Sequence, residues 1–213
     1  MIKCIMFDFD GTLVDSNEIK REAFFTVSDH LSSSQKIMFE ILNMTDLGDR
    51  YDVFNRYSKR LNEEFKFLID EDFLVEKYSA ICEENVSLAE SILGFDSLLN
   101  YLKKTDIKVI ISSATPAISL KKIIINRKID HFFDHIYGSP ESKVEHIKKV
   151  IKDYNINPKE ILYVGDSEVD MQASVISGSF FIGVGNDYSR FLTDQHQLVN
   201  NLDSIKNILD QFN

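Results

Sequence analysis

Two carboxylates, Asp8 and Asp10, stand two residues apart where an apolar run, Ile2 to Phe7 interrupted only by Lys3, turns acidic. Asp10-Gly11 alone reads as an ordinary turn signal. That reading leaves Asp8 unexplained, because an unpaired carboxylate at the end of a buried strand is costly. In an open α/β sheet the carboxyl ends of the strands are where ligands bind, and two acids there can hold a cation and divide catalytic work. Phosphate-ester hydrolysis uses such a division. One carboxylate attacks phosphorus to form an aspartyl-phosphate; a second protonates the leaving oxygen and then activates water. Carboxylate and phosphate repel each other by about 4 kcal/mol per charge pair at ~4 Å and an effective dielectric of ~20. Mg2+, which prefers oxygen ligands, offsets that repulsion.

The elements that must position these acids alternate along the chain. Near-continuous apolar runs predict strands at Ile2–Phe7, Ile107–Ser112, Ile161–Val164 and Phe180–Val184, with a shorter one at His135–Tyr137. Helical patterns lie between them at Pro116–Asn126, Ser142–Tyr154 and Val169–Ile176. Alternation of this kind predicts βαβ units and an α/β fold, a doubly wound parallel sheet with a Rossmann-like core. From Asn17 to about Ser91 no strand pattern occurs. The amphipathic segments there, Glu22–His30, Gln35–Asn43, Arg50–Asn62, Glu71–Tyr78 and Ser79–Ala89, predict an inserted all-helical cap. The expected organisation is a core of residues 1–15 and 94–213 with a cap of residues 16–93.

The run Asp8-Phe9-Asp10-Gly11-Thr12-Leu13-Val14-Asp15-Ser16 resembles the first motif of the haloacid dehalogenase-like hydrolase superfamily, in its DxDGT form. Three further matches follow in the family's order: Ser113 in Ile110-Ile111-Ser112-Ser113-Ala114-Thr115, Lys143 after Gly138-Ser139-Pro140-Glu141-Ser142, and Val164-Gly165-Asp166-Ser167-Glu168-Val169-Asp170. The resemblance implies a helical-cap phosphatase of the phosphoglycolate phosphatase and β-phosphoglucomutase branch. It makes Asp8 the nucleophile and Asp10 the general acid/base. Mg2+ would be held by Asp8, the Asp10 backbone carbonyl and Asp166, with Asp170 and Thr12 in support. Ser113 is chosen over Ser112 to hold the phosphoryl group, and Lys143 balances charge. Each later motif also has an ordinary reading: Ser and Thr at a strand-to-helix turn serve as N-caps, most lysines face solvent, and Ser167 with Asp170 forms a capping-box pattern.

In the cap, Gly48-Asp49-Arg50 resembles a loop that carries a substrate-binding arginine in several sugar-phosphate enzymes of the family. Arg50 is therefore a substrate-contact candidate, as is Lys20 near the hinge; a surface arginine at a helix start is the plain alternative. Lysine at position 20, where the mutases carry histidine, favours hydrolysis over phosphosugar transfer. Asp10 disfavours dehalogenation, whose family members lack this second aspartate. A phospho-receiver module, the non-enzymatic alternative, has its acceptor on a middle strand and no helical insertion.

His131 and His135 lack the glutamate of a zinc-protease pattern, and Gly183-Val184-Gly185 lacks the third glycine of a dinucleotide fingerprint. A net charge of −10 argues against nucleic-acid binding, which draws on Lys and Arg. Two cysteines imply no disulfide framework, and no apolar run reaches membrane-span length. The expectation is a cytoplasmic enzyme acting on a small phosphorylated metabolite, sugar phosphate or phosphoglycolate-like.

Overall fold

The computed structural model describes residues 1–29, 34–45, 47–185 and 197–212. At its centre is β1 (Cys4–Phe7), buried at every position. Such a strand has no solvent face to mark with polar residues, so its sequence is a plain apolar run. It pairs in parallel with β2 (Lys108–Pro116) on one side and β4 (Ile161–Gly165) on the other. β3 (His135–Ser139) extends the sheet beyond β2, while β5 (Phe180–Val184) and β6 (Gln197–Val199) extend it beyond β4. The order β3-β2-β1-β4-β5-β6, with every pairing parallel, is the doubly wound arrangement. Strand order reverses at β1, so the crevice above its carboxyl end is the expected ligand position.

The connections between strands carry α5 (Phe95–Leu102), α6 (Ala117–Asn126), α7 (Lys143–Tyr154) and α8 (Glu168–Ser177), and α9 (Ser204–Gln211) follows β6. Alternate side chains of the central strands, Cys4, Met6, Ile110, Ile161 and Tyr163, share a buried cluster with Ile147 and Val150 of α7 and Met171 of α8. β2 runs four residues past its expected end, because Ser112, Ser113 and Thr115 are buried within the sheet instead of capping a helix in solvent. β6, α5 and α9 are additions to the elements expected from the sequence.

By contacts the chain divides into two units, residues 1–16 with 88–213, and residues 17–87. The first unit contains both crossing segments. Val14 forms an antiparallel bridge with Ser91, Asp15 N–H donates to the Glu90 carbonyl (3.0 Å), and Ile92 N–H donates to the Leu13 carbonyl (3.0 Å).

The second unit is helical: α1 (Asn17–Val27), α2 (Ser34–Leu42), α3 (Arg50–Phe65) and α4 (Glu71–Leu88). The two segments expected at Glu71–Tyr78 and Ser79–Ala89 are one helix, and His30, the expected end of the first segment, lies outside the described residues. Phe24 packs between Phe54 and Tyr78, with ring centroids 5.3 and 4.2 Å away. No helix among the described residues is long and apolar enough to cross a membrane.

Candidate active site

Three adjacent strands bring the acidic and hydroxyl groups together. Asp8 is the first residue past β1, anchored where its N–H donates to the Val164 carbonyl of β4 (2.8 Å). Asp166 follows β4 directly, and Ser113 lies in β2. Carboxylate oxygens of Asp8, Asp166 and Asp170 lie within 4.8 Å of one another, and all three residues are buried. Lys143, only 7% exposed, enters this group from the first position of α7. Its Nζ is 2.9 Å from Asp8 Oδ2 and 2.5 Å from Asp170 Oδ1.

Local capping explains how the lysine and Asp170 are aimed. Ser142 caps α7 in a reciprocal box with Glu145, which sets Lys143 at the start of the helix facing the sheet. Ser167 caps α8 in the same way with Asp170. The capping-box reading of Ser167 and Asp170 is thus correct, and the same carboxylate has a second partner. Asp170 Oδ2 takes the Ser167 hydroxyl (2.5 Å) while Oδ1 takes Lys143. Gly165 makes room for this: a Cβ there would lie 2.4 Å from Asp170 Cγ. Gly165→Ala is therefore expected to push Asp170 off Lys143. It should destabilise the fold by about 1–3 kcal/mol, seen as a lower urea midpoint, and cut turnover at least about tenfold.

Asp10 has separate partners. Ser16 Oγ donates to Asp10 Oδ1 (2.7 Å) and Thr115 Oγ1 to Oδ2 (2.8 Å), with Ser113 Oγ farther away at 3.5 Å. Ser113 Oγ also accepts from the Thr115 N–H (3.0 Å). Ser112 lies on the opposite face of β2, hydrogen-bonded to His146 and Tyr163. Thr12 donates to Asp166 Oδ1 at 3.3 Å. Thr115 and Ser16 stand inside the motifs, but their residue types alone assign them no role. Thr115 stands two residues after Ser113 on a strand, and that spacing places both on one face.

Burial pushes the Asp8 carboxyl up to about 8; Lys143 opposes this, and Asp170, Asp166 and Asp10 add to it. Burial works against the Lys143 ammonium, but Asp8, Tyr163 and Asp170 override it and hold its pKa well above the usual lysine value. With all three carboxylates ionised, one ammonium leaves two negative charges uncompensated, the charge of one divalent cation; with Lys143 alone opposing burial and its acidic neighbours, the Asp8 carboxyl holds its proton to a higher pH. The donor set is all oxygen, which suits a hard ion. These residues therefore fit a metal.

Arg50 belongs to the helical unit, where its guanidinium lies 5.0 Å over the Tyr78 ring and donates to Ser79 Oγ (3.1 Å). Lys20 is in α1 of the same unit. His131 and His135 are exposed and packed on Phe132 and Tyr137, each at 4.1 Å. Gly185 N–H closes against the Val199 carbonyl at the end of β5.

His146 of α7 is wholly buried, with Nδ1 2.9 Å from Ser112 Oγ. Burial pulls its pKa down to about 4, with Glu141 and the Gly138 backbone opposing and Lys149 and Lys143 assisting. Unfolded histidine binds a proton near pH 6.5 that the folded ring refuses until about 4. Stability from this group is therefore present above about 6.5 and is lost as pH falls towards 4, on the order of 1–3 kcal/mol. Urea midpoints at pH 7 and 4.5 should show this loss in the wild type and a smaller one in His146→Phe.

A parallel α/β sheet with acids closing its β1 and β4 ends and a hydroxyl-bearing β2 between helices defines a Rossmann-like enzyme with an inserted helical unit. The family model for haloacid dehalogenase-like hydrolases matches residues 5–184, and the chain belongs to that family. It is an enzyme of this hydrolase class. Among similar proteins, pyrophosphatase PpaX of Bacillus mycoides is 25% identical over 190 residues, 86% of this chain and 83% of its own. Glyceraldehyde 3-phosphate phosphatase of Pyrococcus abyssi is 28% identical over 185 residues, 78% of this chain and 74% of its own. The crystal structure of a predicted phosphoglycolate phosphatase from Haemophilus somnus superposes with a TM-score of 0.76 at 22% identity, covering 98% of both chains.

Proposed function

We propose that the protein is a Mg2+-dependent phosphomonoesterase acting on a small phosphorylated metabolite through an aspartyl-phosphate on Asp8. The observation that carries this reading is Asp8 itself, a buried carboxylate paired with Lys143 at the carboxyl end of the central strand, with Asp10 held separately by Ser16 and Thr115.

In the first step an Asp8 carboxylate oxygen attacks phosphorus, and the bond from phosphorus to the leaving oxygen breaks. Asp10 in its acid form gives its proton to that oxygen. In the second step Asp10, now a carboxylate, takes a proton from water. The resulting hydroxyl attacks phosphorus, inorganic phosphate leaves, and Asp8 is regenerated. Lys143 holds positive charge against the nucleophile and the incoming phosphoryl oxygens, and Ser113 donates to those oxygens. Thr12 orients Asp166, and Asp170 orients Lys143. Asp8, Asp166 and the Asp10 backbone carbonyl would hold Mg2+, which supplies charge neutralisation between nucleophile and phosphate. Substrate selection is assigned to the helical unit, with Lys20 and Arg50 as its candidates.

A second reading, hydrolysis of inorganic pyrophosphate, is favoured by the pyrophosphatase PpaX relative matched over 86% of this chain. The same two carboxylate roles serve it, with phosphate as the leaving group.

The deciding assay is phosphate release from p-nitrophenyl phosphate, inorganic pyrophosphate, triose and hexose phosphates and phosphoglycolate, with Mg2+ or EDTA. Release with Mg2+ that EDTA lowers at least about 100-fold and added Mg2+ restores is the expected result. Equal rates in EDTA would sink the metal assignment. Isomerisation of a hexose 1-phosphate without phosphate release would replace hydrolysis by a mutase reaction.

A further inference from the structure

Beneath the acidic site lies a buried polar bridge that the chemistry above does not use. The Tyr163 hydroxyl, on β4, is 3.1 Å from the Ser112 carbonyl oxygen and 3.0 Å from its hydroxyl, on β2. Ser112 Oγ is in turn 2.9 Å from His146 Nδ1, on α7. All three side chains are fully buried. Because β1 lies between β2 and β4, Tyr163 spans the strand whose end carries Asp8.

Stability does not account for these groups. Tyr163 shares an apolar cluster with Ile110, Ile147, Val150 and Met171, and His146 stacks on Tyr137 of the same cluster with ring centroids 5.1 Å apart. Replacing both partners of a buried hydrogen bond with apolar groups of the same shape is nearly neutral or stabilising. Among the described residues His146 Nε2 is buried with no hydrogen-bond partner, a cost that a phenyl ring would avoid. What such a bridge does do is tie β2, β4 and α7 together at hydrogen-bond distances. What it joins is specific. Ser112 precedes Ser113 on β2, Asp166 follows β4 two residues after Val164, and Lys143 stands one helical turn before His146 on the same face of α7.

We propose that Tyr163, Ser112 and His146 are positioning residues, a hydrogen-bonded brace that sets Ser113 and Lys143 relative to Asp8. The brace locks the axial setting of α7 against β2, and hence the reach of the Lys143 ammonium. Tyr163 holds the same point of β2 from the β4 side. Burial keeps the imidazole neutral at working pH, so the bond to Ser112 does not change character there. Displacement of catalytic groups by about 1 Å can cost ~100-fold in rate, so losing the brace should register in turnover without unfolding the protein.

The proposal rests on the phosphohydrolase reading for its kinetic readout and has a structural readout that does not. Tyr163→Phe, Ser112→Ala and His146→Phe are compared with wild type for kcat, KM, inhibition by orthovanadate and thermal midpoint. Each single variant is expected to lower kcat about 10- to 100-fold, to weaken vanadate inhibition in parallel and to leave KM within about twofold; the thermal midpoint falls in Ser112→Ala, which leaves the buried His146 Nδ1 without its hydroxyl partner, but each variant still unfolds in one cooperative transition. Tyr163→Phe combined with Ser112→Ala should cost little more than either alone, because the residues act as a unit. His146→Asn, which returns a polar atom near the Nδ1 position, should recover most of the rate lost in His146→Phe. Values of kcat within twofold of wild type for both Tyr163→Phe and Ser112→Ala would overturn the proposal. If the wild type itself releases no phosphate from any ester, the functional reading falls, and a crystal structure of Ser112→Ala decides the brace. Lys143 displaced from Asp8 supports it, and an unmoved Lys143–Asp8 pair overturns it.

Discussion

Asp8→Asn is expected to lower phosphate release by at least about 10,000-fold while leaving a folded protein of equal or greater thermal stability. The two halves of this result have different origins. An amide has the shape of the carboxylate but cannot act as the attacking anion, so covalent catalysis stops. The fold, by contrast, gives up a charge that burial disfavours and that Asp166 and Asp170 repel. Lys143 keeps Asp170 as a partner at 2.5 Å, so the substitution leaves no orphaned ammonium. Asparagine can still accept the Phe9 N–H that Asp8 Oδ1 accepts at 2.7 Å. Single-turnover phosphate release and a thermal melt on the same sample read the two halves. A variant with both activity and stability lost would point to a structural role for Asp8, and one with activity retained would remove it as nucleophile.

Lys143→Met is expected to damage both activity and stability. Methionine matches the aliphatic stem but removes the one ammonium that the described residues place against both Asp8 and Asp170. Breaking a buried ion pair from one side leaves uncompensated charge and costs about 3–5 kcal/mol, whereas an exposed lysine would cost within about 0.5 kcal/mol. Protons taken up by the carboxylates at neutral pH offset part of this, so a loss of about 3 kcal/mol in urea unfolding is the expected result. Saturating Mg2+ should recover part of it, because a divalent cation neutralises the same carboxylates. Turnover should fall about 1,000-fold even with metal present, since Lys143 also aligns the nucleophile. A loss below 0.5 kcal/mol would return Lys143 to the ordinary solvent-facing lysine that its motif alone permits.

Much of the fold was legible because the signals are local. β1, β4 and β5 are short apolar runs, and a strand covered on both faces needs no other pattern. α7 announces itself through Ser142 and Glu145, a reciprocal cap that depends on residues three apart. The elements missed are those whose signal is weak or whose environment overrides it. β6 is three residues at a sheet edge, and α5 is eight residues long. Ser79 reads as a break in the helical segment but lies within α4, where its hydroxyl receives Arg50. β2 continues through Ser112-Ser113-Ala114-Thr115, a polar run that reads as a turn until burial is known.

The same division holds at the site. The order and spacing of Asp8, Asp10, Ser113, Lys143, Asp166 and Asp170 carry the proposed chemistry, because a nucleophile, an acid and a charge balance are properties of residue types. Which partner each side chain meets was decided by the tertiary structure. Asp170 reads as a capping residue and is also the partner of Lys143, 27 residues away in sequence. Asp10 is held by Thr115, 105 residues away, more closely than by Ser113. Arg50, a substrate candidate by its loop, is packed on Tyr78 within the helical unit. Caps and periodicities act within a few residues, so sequence exposes them. Pairings between the ends of parallel strands form only when the crossovers close, and the low dielectric that gives those pairings their strength exists only in the packed interior.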